Sequence, residues 1–385
     1  RSSLRSGRKL FQLHDDRQSS FLTANKLDNI VRLAAPLMSV ETNQFDSHPM
    51  QMCVSNGVVD LNTGVLLAPS PDMYHSKMAD VQFDSDAGCP HFRSFVNDVF
   101  DGDAELVEYV QKAAGYTMTG SIDEQVMFML LGNGANGKST FVNILTDLMG
   151  DYAVNTAAHT LMADGMSRIG DDLVRLSGAR LITTAETEHG QRFAEARIKS
   201  MTGGDTITAR QLYGRYVSFK PVGKIWLTTN NRPIISGSDD GIWRRLHEVP
   251  FKRQFKSEEQ DKDLTNKLLA EKSGIFNWLI EGCLKWQREG LNPPASVTSA
   301  MSEYRNEMDS ITAFIEDQCI DGSVSKIKIA ELTYIYNQWC EENDAIPQPK
   351  GRLKSALEAK GYKQTRTGLE RFWQGFTLQS VMGPV

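Results

Sequence analysis

Apolar and polar positions divide the chain into stretches of different period. Residues 1 to about 45 carry apolar positions such as Phe21, Leu27, Ile30 and Val31 at helical spacing, ending in Leu33-Ala34-Ala35. Short apolar runs then follow at Met52-Cys53-Val54, Val58-Val59-Asp60-Leu61 and Val65-Leu66-Leu67. Asn56-Gly57 and Asn62-Thr63-Gly64 separate them, which predicts a small β-meander. Proline and glycine break the chain at Pro69-Ser70-Pro71 and Gly88-Cys89-Pro90. Residues 91–119 return to helical spacing through Phe92, Phe95, Val96, Val99, Leu106 and Val110. From about 122 to 255, strand-like and helix-like runs alternate, the pattern of a parallel α/β sheet. Residues 257 to about 318 are mostly helical and more polar, with a break at Asn292-Pro293-Pro294. Beyond Asp321-Gly322, two helices (329–342 and 351–360) and a hairpin turning at Gly368 predict a winged helix-turn-helix. The domain boundaries expected are 1–120, 121–255, 256–320 and 321–385.

The α/β part holds the clearest chemistry. An apolar run, Val126-Met127-Phe128-Met129-Leu130, precedes Gly132-Asn133-Gly134-Ala135-Asn136-Gly137-Lys138-Ser139-Thr140, and a helix-compatible segment follows. Strand, glycine-rich loop and helix in this order match the P-loop pattern G-x-x-x-x-G-K-[ST]. Glycines let backbone N–H groups wrap phosphate oxygens, and the helix N-terminus adds potential favourable to an anion. In that pattern Lys138 reaches the β- and γ-phosphates of a nucleotide, and the Ser139 hydroxyl holds Mg²⁺; kinases, GTPases and motors all remain open on this loop alone.

A hydrolytic site also needs an acid to hold the metal and orient water. Glu186 closes the apolar strand Leu181-Ile182-Thr183-Thr184-Ala185, and Glu188 lies two residues on. Asn230 ends the next strand, where it can address the γ-phosphate or the attacking water. Arg244 and Arg245 follow the core strands, either as surface salt-bridge donors or as a guanidinium aimed at a phosphate. Residues 207–224 read as a hairpin with Arg210, Arg215, Lys220 and Lys224 and no acidic residue. Tyr213, Tyr216 and Phe219 are interleaved among these cations. Cations with aromatics suit single-stranded nucleic acid, and an ordinary hairpin with a solvated basic face fits equally.

Composition narrows the picture. Forty per cent of the residues are apolar and 23% charged, which suits a globular protein, and no run reaches transmembrane length. The net charge of −6 argues against a wholly basic nucleic-acid coat. Residues 350–371 nevertheless hold seven basic and two acidic residues, Lys354, Lys363 and Arg366 among the former. Basic patches on an acidic body suit a protein that meets DNA at defined surfaces. The five cysteines form no C-x-x-C pair, so neither a zinc site nor a disulfide framework is expected, and a reducing compartment fits. The start at Arg1 reads as a piece of a longer chain or a processed one.

Taken together, these motifs resemble superfamily 3 helicases, specifically the phage/plasmid and poxvirus-type primase-helicases. Residues 132–140 look like that family's Walker A, and Ala185-Glu186-Thr187-Glu188 like its Walker B. Residues 198–205 with Thr208-Ala209-Arg210 look like its B-prime motif, and Trp226-Leu227-Thr228-Thr229-Asn230 like its motif C. Ile242-Trp243-Arg244-Arg245-Leu246 resembles the stretch carrying its arginine finger, with Arg245 the first choice and Arg244 the second. The Glu-Thr-Glu order departs from the adjacent acids of other branches and leaves the metal and water roles open between Glu186 and Glu188.

The resemblance implies an AAA+-like ATPase core, ATP and Mg²⁺ as cofactors, and a ring, usually a hexamer, with ATP between subunits. It implies single-stranded and forked DNA as partner, 3′-to-5′ translocation, and work at a phage, plasmid or viral replication site in the host cytoplasm. The hairpin around Tyr213-Gly214-Arg215 would be the channel loop, with Lys199, Lys220 and Lys224 as further candidates. A primase or polymerase partner, or a fused upstream domain, is expected, while no segment of this chain reads as a primase. Two rival functions stand beside the helicase. One is a non-motor DNA-binding initiator or sensor whose nucleotide site gates assembly, and the other is a packaging or partition motor.

Overall fold

The computed structural model describes residues 24–36, 40–41, 44–163, 169–185, 191–210, 214, 216–235, 240–343, 345, 347–348, 350–368 and 370–379. Two units divide the chain. The first comprises residues 1–47 and 71–76. In it, helix α1 (Ala24–Ala34) carries Leu27, Ile30, Val31 and Leu33 at helical spacing, and all four are exposed. Phe45 meets Tyr74 edge-on at 5.8 Å, and the Asp46 amide donates to the Tyr74 carbonyl.

The second unit holds everything else. Its first sheet is the expected meander, with β1 (Gln51–Val54), β2 (Gly57–Asp60) and β3 (Val65–Leu67) antiparallel in sequence order. The helical stretch at 91–119 is two helices, α2 (Pro90–Val99) and α3 (Ala104–Thr117). Asp101 and Gly102 adopt left-handed φ values of 53° and 75°, which no helix can continue through. The Asp103 carboxylate then accepts from the Leu106 amide and caps α3.

The main sheet is parallel and five-stranded. It contains β4 (Met127–Leu131), β5 (Ala153–Asn155), β6 (Leu181–Ala185), β9 (Lys224–Thr229) and β10 (Leu246–Pro250), in the order β10-β4-β9-β6-β5. Helices α4 (Lys138–Met149), α5 (Ile169–Arg175) and α6 (Glu195–Gly203) fall between its strands in sequence. The strands are short continuous apolar runs because both faces are covered; all six residues of β9 are buried. Two apolar clusters lie on the sheet. Phe128, Leu130 and Trp226 belong to one, and Met127, Met129 and Leu227 to the other. The alternation follows from the period of two along a strand. The antiparallel hairpin β7 (Ile207–Arg210) and β8 (Tyr216–Phe219) stands apart as its own two-stranded sheet. Helix α7 (Asp240–Trp243) precedes β10.

Helices α8 (Leu264–Leu269), α9 (Lys272–Glu289) and α10 (Ala295–Glu307) follow. Helix α9 lies so close to α3 that a Cβ at Gly115 would stand 2.1 Å from the Cys283 amide nitrogen. A separate apolar core closes the C-terminal part. It is built from α11 (Ser310–Gln318), β11 (Cys319–Lys328), α12 (Ile329–Glu342), α13 (Lys350–Ala359), β12 (Lys363–Thr367) and β13 (Glu370–Leu378), with sheet order β11-β13-β12. Ile311, Phe314 and Ile315 of α11 join this core, so it starts within the stretch that the apolar pattern assigns to the preceding helices. Among the described residues no helix is long and apolar enough to cross a membrane.

Candidate nucleotide site and basic surfaces

The glycine-rich loop leaves the C-terminal end of β4, whose direct neighbours are β9 and β10. In open parallel sheets this edge is where ligands collect. Gly132 sits against the end of β10, and a Cβ there would stand 2.3 Å from the Phe251 carbonyl oxygen. Gly137 takes φ 85°, and a Cβ would meet Val99 at 2.7 Å. Both positions therefore require glycine. The buried Asn136 amide braces the loop from inside. Its Nδ2 reaches the Asn133 carbonyl at 3.4 Å, and its Oδ1 accepts from the Lys138 amide at 3.4 Å.

Helix α4 starts at Lys138, so its first turn opens onto a cleft of about 750 Å³. Residues 134–140, Ala185 and residues 228–230 line that cleft. Lys138 Nζ donates to the Gly132 carbonyl and, at 3.2 Å, to Asn230 Oδ1. Burial pushes the Lys138 pKa below its ordinary value. The loop lysine and the strand-end asparagine, ninety-two residues apart in sequence, thus meet because β9 pairs directly with β4. Ser139 is exposed one residue further along α4. Strand β6 delivers the chain to the same cleft at Ala185, while Glu186 and Glu188 lie outside the described residues.

The two arginines differ in their surroundings. Arg245 is buried; its Nε donates to Thr202 Oγ1 at 3.1 Å, its Nη1 to the Gly241 carbonyl at 2.6 Å and its Nη2 to Gln125 Oε1 at 3.3 Å. In this structure the Arg245 guanidinium is thus held by three oxygens of its own chain. Arg244 is exposed, and its Nη2 donates to Gln125 Oε1 at 3.2 Å.

Lys224 likewise leaves the list of DNA contacts. Its ammonium is 1% exposed and donates to the carbonyls of Thr119 (2.5 Å), Ser121 (2.9 Å) and Val222 (3.1 Å), and it lies 4.6 Å from the Tyr116 ring centre. The rest of the basic set stays at the surface. Arg210 on β7 is exposed and lies 5.7 Å from the ring of the exposed Tyr216, and Lys220, just after β8, is exposed. Tyr213 and Arg215 at the hairpin tip lie outside the described residues. Lys354 on α13 and Lys363 and Arg366 on β12 are exposed.

Sequence reading missed Arg232, which no motif marks. Its Nε and Nη2 pair with both oxygens of the buried Glu248 at 2.9 and 2.8 Å, and its Nη1 donates to Glu307 at 2.7 Å. Glu248 is the stronger partner, and it raises the Arg232 pKa. Arg232 lies beside Asn230 in a second cavity of about 810 Å³. A third, of about 420 Å³, flanks the loop on its other side between Ala135, Gly137, Thr140, Phe95, Phe255 and Leu264.

A parallel α/β sheet with a glycine-rich P-loop pattern at its C-terminal edge, opposite a strand-end asparagine, defines the class. Comparison with known proteins narrows it. Residues 13–101 match the family described as D5 N terminal like, and residues 130–245 match a family of unknown function, DUF5906. A protein of Acanthamoeba polyphaga mimivirus, provisionally named a helicase, is 28% identical over 81% of this chain and 34% of its own length. A provisionally named helicase of Frog virus 3 is 26% identical over 74% of this chain and 31% of its own length. A provisionally named primase of African swine fever virus is 22% identical over 58% and 25%. Among solved structures, the apo C-terminal region of NrS-1 superposes with a TM-score of 0.48 at 12% identity, over 77% of this chain and 79% of that one. These matches support the resemblance to superfamily 3 primase-helicases. It spans about a third of the length of the curated relatives it matches.

Proposed function

We propose that this chain is the ATP- and Mg²⁺-dependent motor part of a replicative DNA helicase from a viral, phage or plasmid replication system. The observation that carries the reading is the meeting of Lys138 and Asn230 inside the cleft of the glycine-rich loop. The match to the D5 N terminal like family and relatives named as helicases support it.

The cleft suits a polyphosphate. Two glycines are imposed by close approach and, at Gly137, by positive φ; a helix begins at the cleft, and a buried lysine faces it. In this reading residues 132–140 cradle the phosphates and Lys138 neutralises the β- and γ-oxygens. The Ser139 hydroxyl and Glu186, with Glu188 as alternative, hold Mg²⁺, which when bound draws charge from the phosphate oxygens. Asn230 orients the attacking water. The base occupies the cavity between Phe95, Phe255 and Leu264. Arg244 takes the finger role toward a neighbouring subunit, in place of Arg245. Subunits form a ring, a hexamer, that moves 3′ to 5′ on single-stranded DNA. Arg210 and Lys220 of the β7–β8 hairpin, with Tyr213 and Arg215 at its tip, contact the strand. The C-terminal part, as a winged helix, holds forked or duplex DNA through Lys354, Lys363 and Arg366. A primase acts beside it, as a partner or a fused domain.

A strand-displacement assay on tailed duplexes of both polarities tests this. Unwinding of the 3′-tailed substrate, dependent on ATP and Mg²⁺ and lost in Lys138→Ala, is expected. Unwinding retained by Lys138→Ala refutes the reading. Hydrolysis with no unwinding on any tail would favour the non-motor initiator.

A further inference from the structure

Helix α10 touches both halves of the proposed catalytic apparatus, and neither set of contacts was marked by a motif. One set holds the turn that follows Asn230. The Ala300 carbonyl accepts from Arg232 Nη2 at 3.3 Å, Glu307 accepts from Arg232 Nη1 at 2.7 Å, and the Tyr304 hydroxyl donates to the Pro233 carbonyl. Residues 300, 304 and 307 share one helix face by their spacing. The other set holds α7, which ends beside Arg244. The fully buried Tyr304 ring meets Trp243 edge-on at 5.3 Å, and Arg305 Nη2 donates to Asp240 Oδ1 at 2.7 Å. The Asp240 carbonyl in turn accepts from the Arg244 amide at 3.1 Å.

The first set is anchored in the core. Arg232 pairs with both oxygens of the buried Glu248 on β10, and the Glu248 amide donates to Met301 Sδ of α10 at 3.3 Å. A displacement of the turn after Asn230 therefore cannot be absorbed locally. It must move α10, and with α10 the segment bearing Arg244.

We propose that α10 is a coupling rod that ties the nucleotide-sensing Asn230 of a subunit to the reach of that subunit's own Arg244 toward the next site. This rests on the reading of Asn230 and Arg244 given above. Arg305, Asp240 and Tyr304 are positioning residues in this scheme; they act through Arg244 and touch no nucleotide.

The test uses the full chain and its DNA-stimulated ATP hydrolysis. The Arg305–Asp240 pair is more than half exposed on both sides, so reversing either charge leaves the fold intact. Arg305→Asp and Asp240→Arg should each lower kcat by about tenfold, a change of about 1.4 kcal/mol in the barrier. KM for ATP and the melting temperature should stay unchanged, because the phosphate cradle is untouched. The double variant, Asp240→Arg with Arg305→Asp, should regain kcat to within about twofold of the wild type. Tyr304→Phe, which keeps the ring on Trp243 and removes only the bond to Pro233, should lower kcat without changing KM. Single variants with unchanged kcat, or a double variant as slow as the singles, overturn the coupling rod while the helicase reading stands. A wild-type chain that hydrolyses no ATP overturns both.

Discussion

Strand β9 begins with one buried lysine and ends beside another. Lys224, at its N-terminal end, gives its three protons to three backbone carbonyls and is sealed from water. Lys138, at the C-terminal edge of the same sheet, is also buried but faces a cleft and an asparagine side chain. Burial lowers the pKa of both, and much further for Lys224. The depression of a pKa therefore does not distinguish a working lysine from a structural one here. What distinguishes them is the end of the sheet they occupy, because loops at the C-terminal edge leave a crevice that the N-terminal edge lacks.

The sharpest way to break that contrast is to delete both ammonium groups. Lys138→Met should abolish ATP hydrolysis with the melting temperature little changed. Lys224→Met should preserve hydrolysis at low temperature and cost about 2–4 kcal/mol of stability, through three buried carbonyls left unpaired. A Lys224 variant that melts like the wild type would erase the distinction. Next in size is the arginine pair. Arg244→Ala should lose most hydrolysis while nucleotide binding, read by fluorescence titration, is retained. Arg245→Ala should chiefly lower the melting temperature, since Thr202 Oγ1 and the Gly241 carbonyl lose the donor that Arg245 supplies. The reverse outcome would return the finger role to Arg245.

A smaller effect probes the N-terminal edge by pH. His247 Nδ1 on β10 shares a hydrogen bond with the Tyr109 hydroxyl at 2.5 Å; burial pushes the tyrosine far up and the histidine down to about 4. The unfolded chain takes up that proton near pH 6.5, before the folded chain does. Stability is therefore complete above about pH 6.5 and falls toward pH 4, by at most about 1.4 kcal/mol per pH unit. His247→Gln should flatten that part of a denaturation-versus-pH curve, and an unchanged slope would assign it to other groups. Smallest is the exposed C-terminal surface. Lys363→Glu with Arg366→Glu should weaken DNA binding and reduce its salt dependence, with basal hydrolysis unaltered. Equal DNA affinity would separate this surface from DNA altogether.

Much of the architecture was legible in the chain. The meander followed from Asn56-Gly57 and Asn62-Thr63-Gly64, because turn residues between short apolar runs leave few alternatives. The β7–β8 hairpin and the helices after residue 329 followed in the same way. Residues 91–119 were harder. Their helical spacing runs on across Asp101-Gly102-Asp103, and the apolar pattern outweighed a local break that only the left-handed backbone reveals. The start of the C-terminal core at α11 was hidden because an amphipathic helix does not announce which core it will join.

The sequence by itself determined the P-loop pattern, the order of the strands that flank it, and the residues that end those strands. These are local matters of backbone freedom and of period along the chain. Only the tertiary structure decided that β9 lies beside β4, which brings Asn230 to Lys138 across ninety-two residues. It also decided that Arg245 and Lys224 face inward, that Arg244 faces outward, and that Arg232 reaches Glu248 and Glu307. The physical reason is the same in each case. A cation at the end of a fully buried strand has no period of its own, and its role is set by which carbonyls, carboxylates or open space the neighbouring elements bring to it.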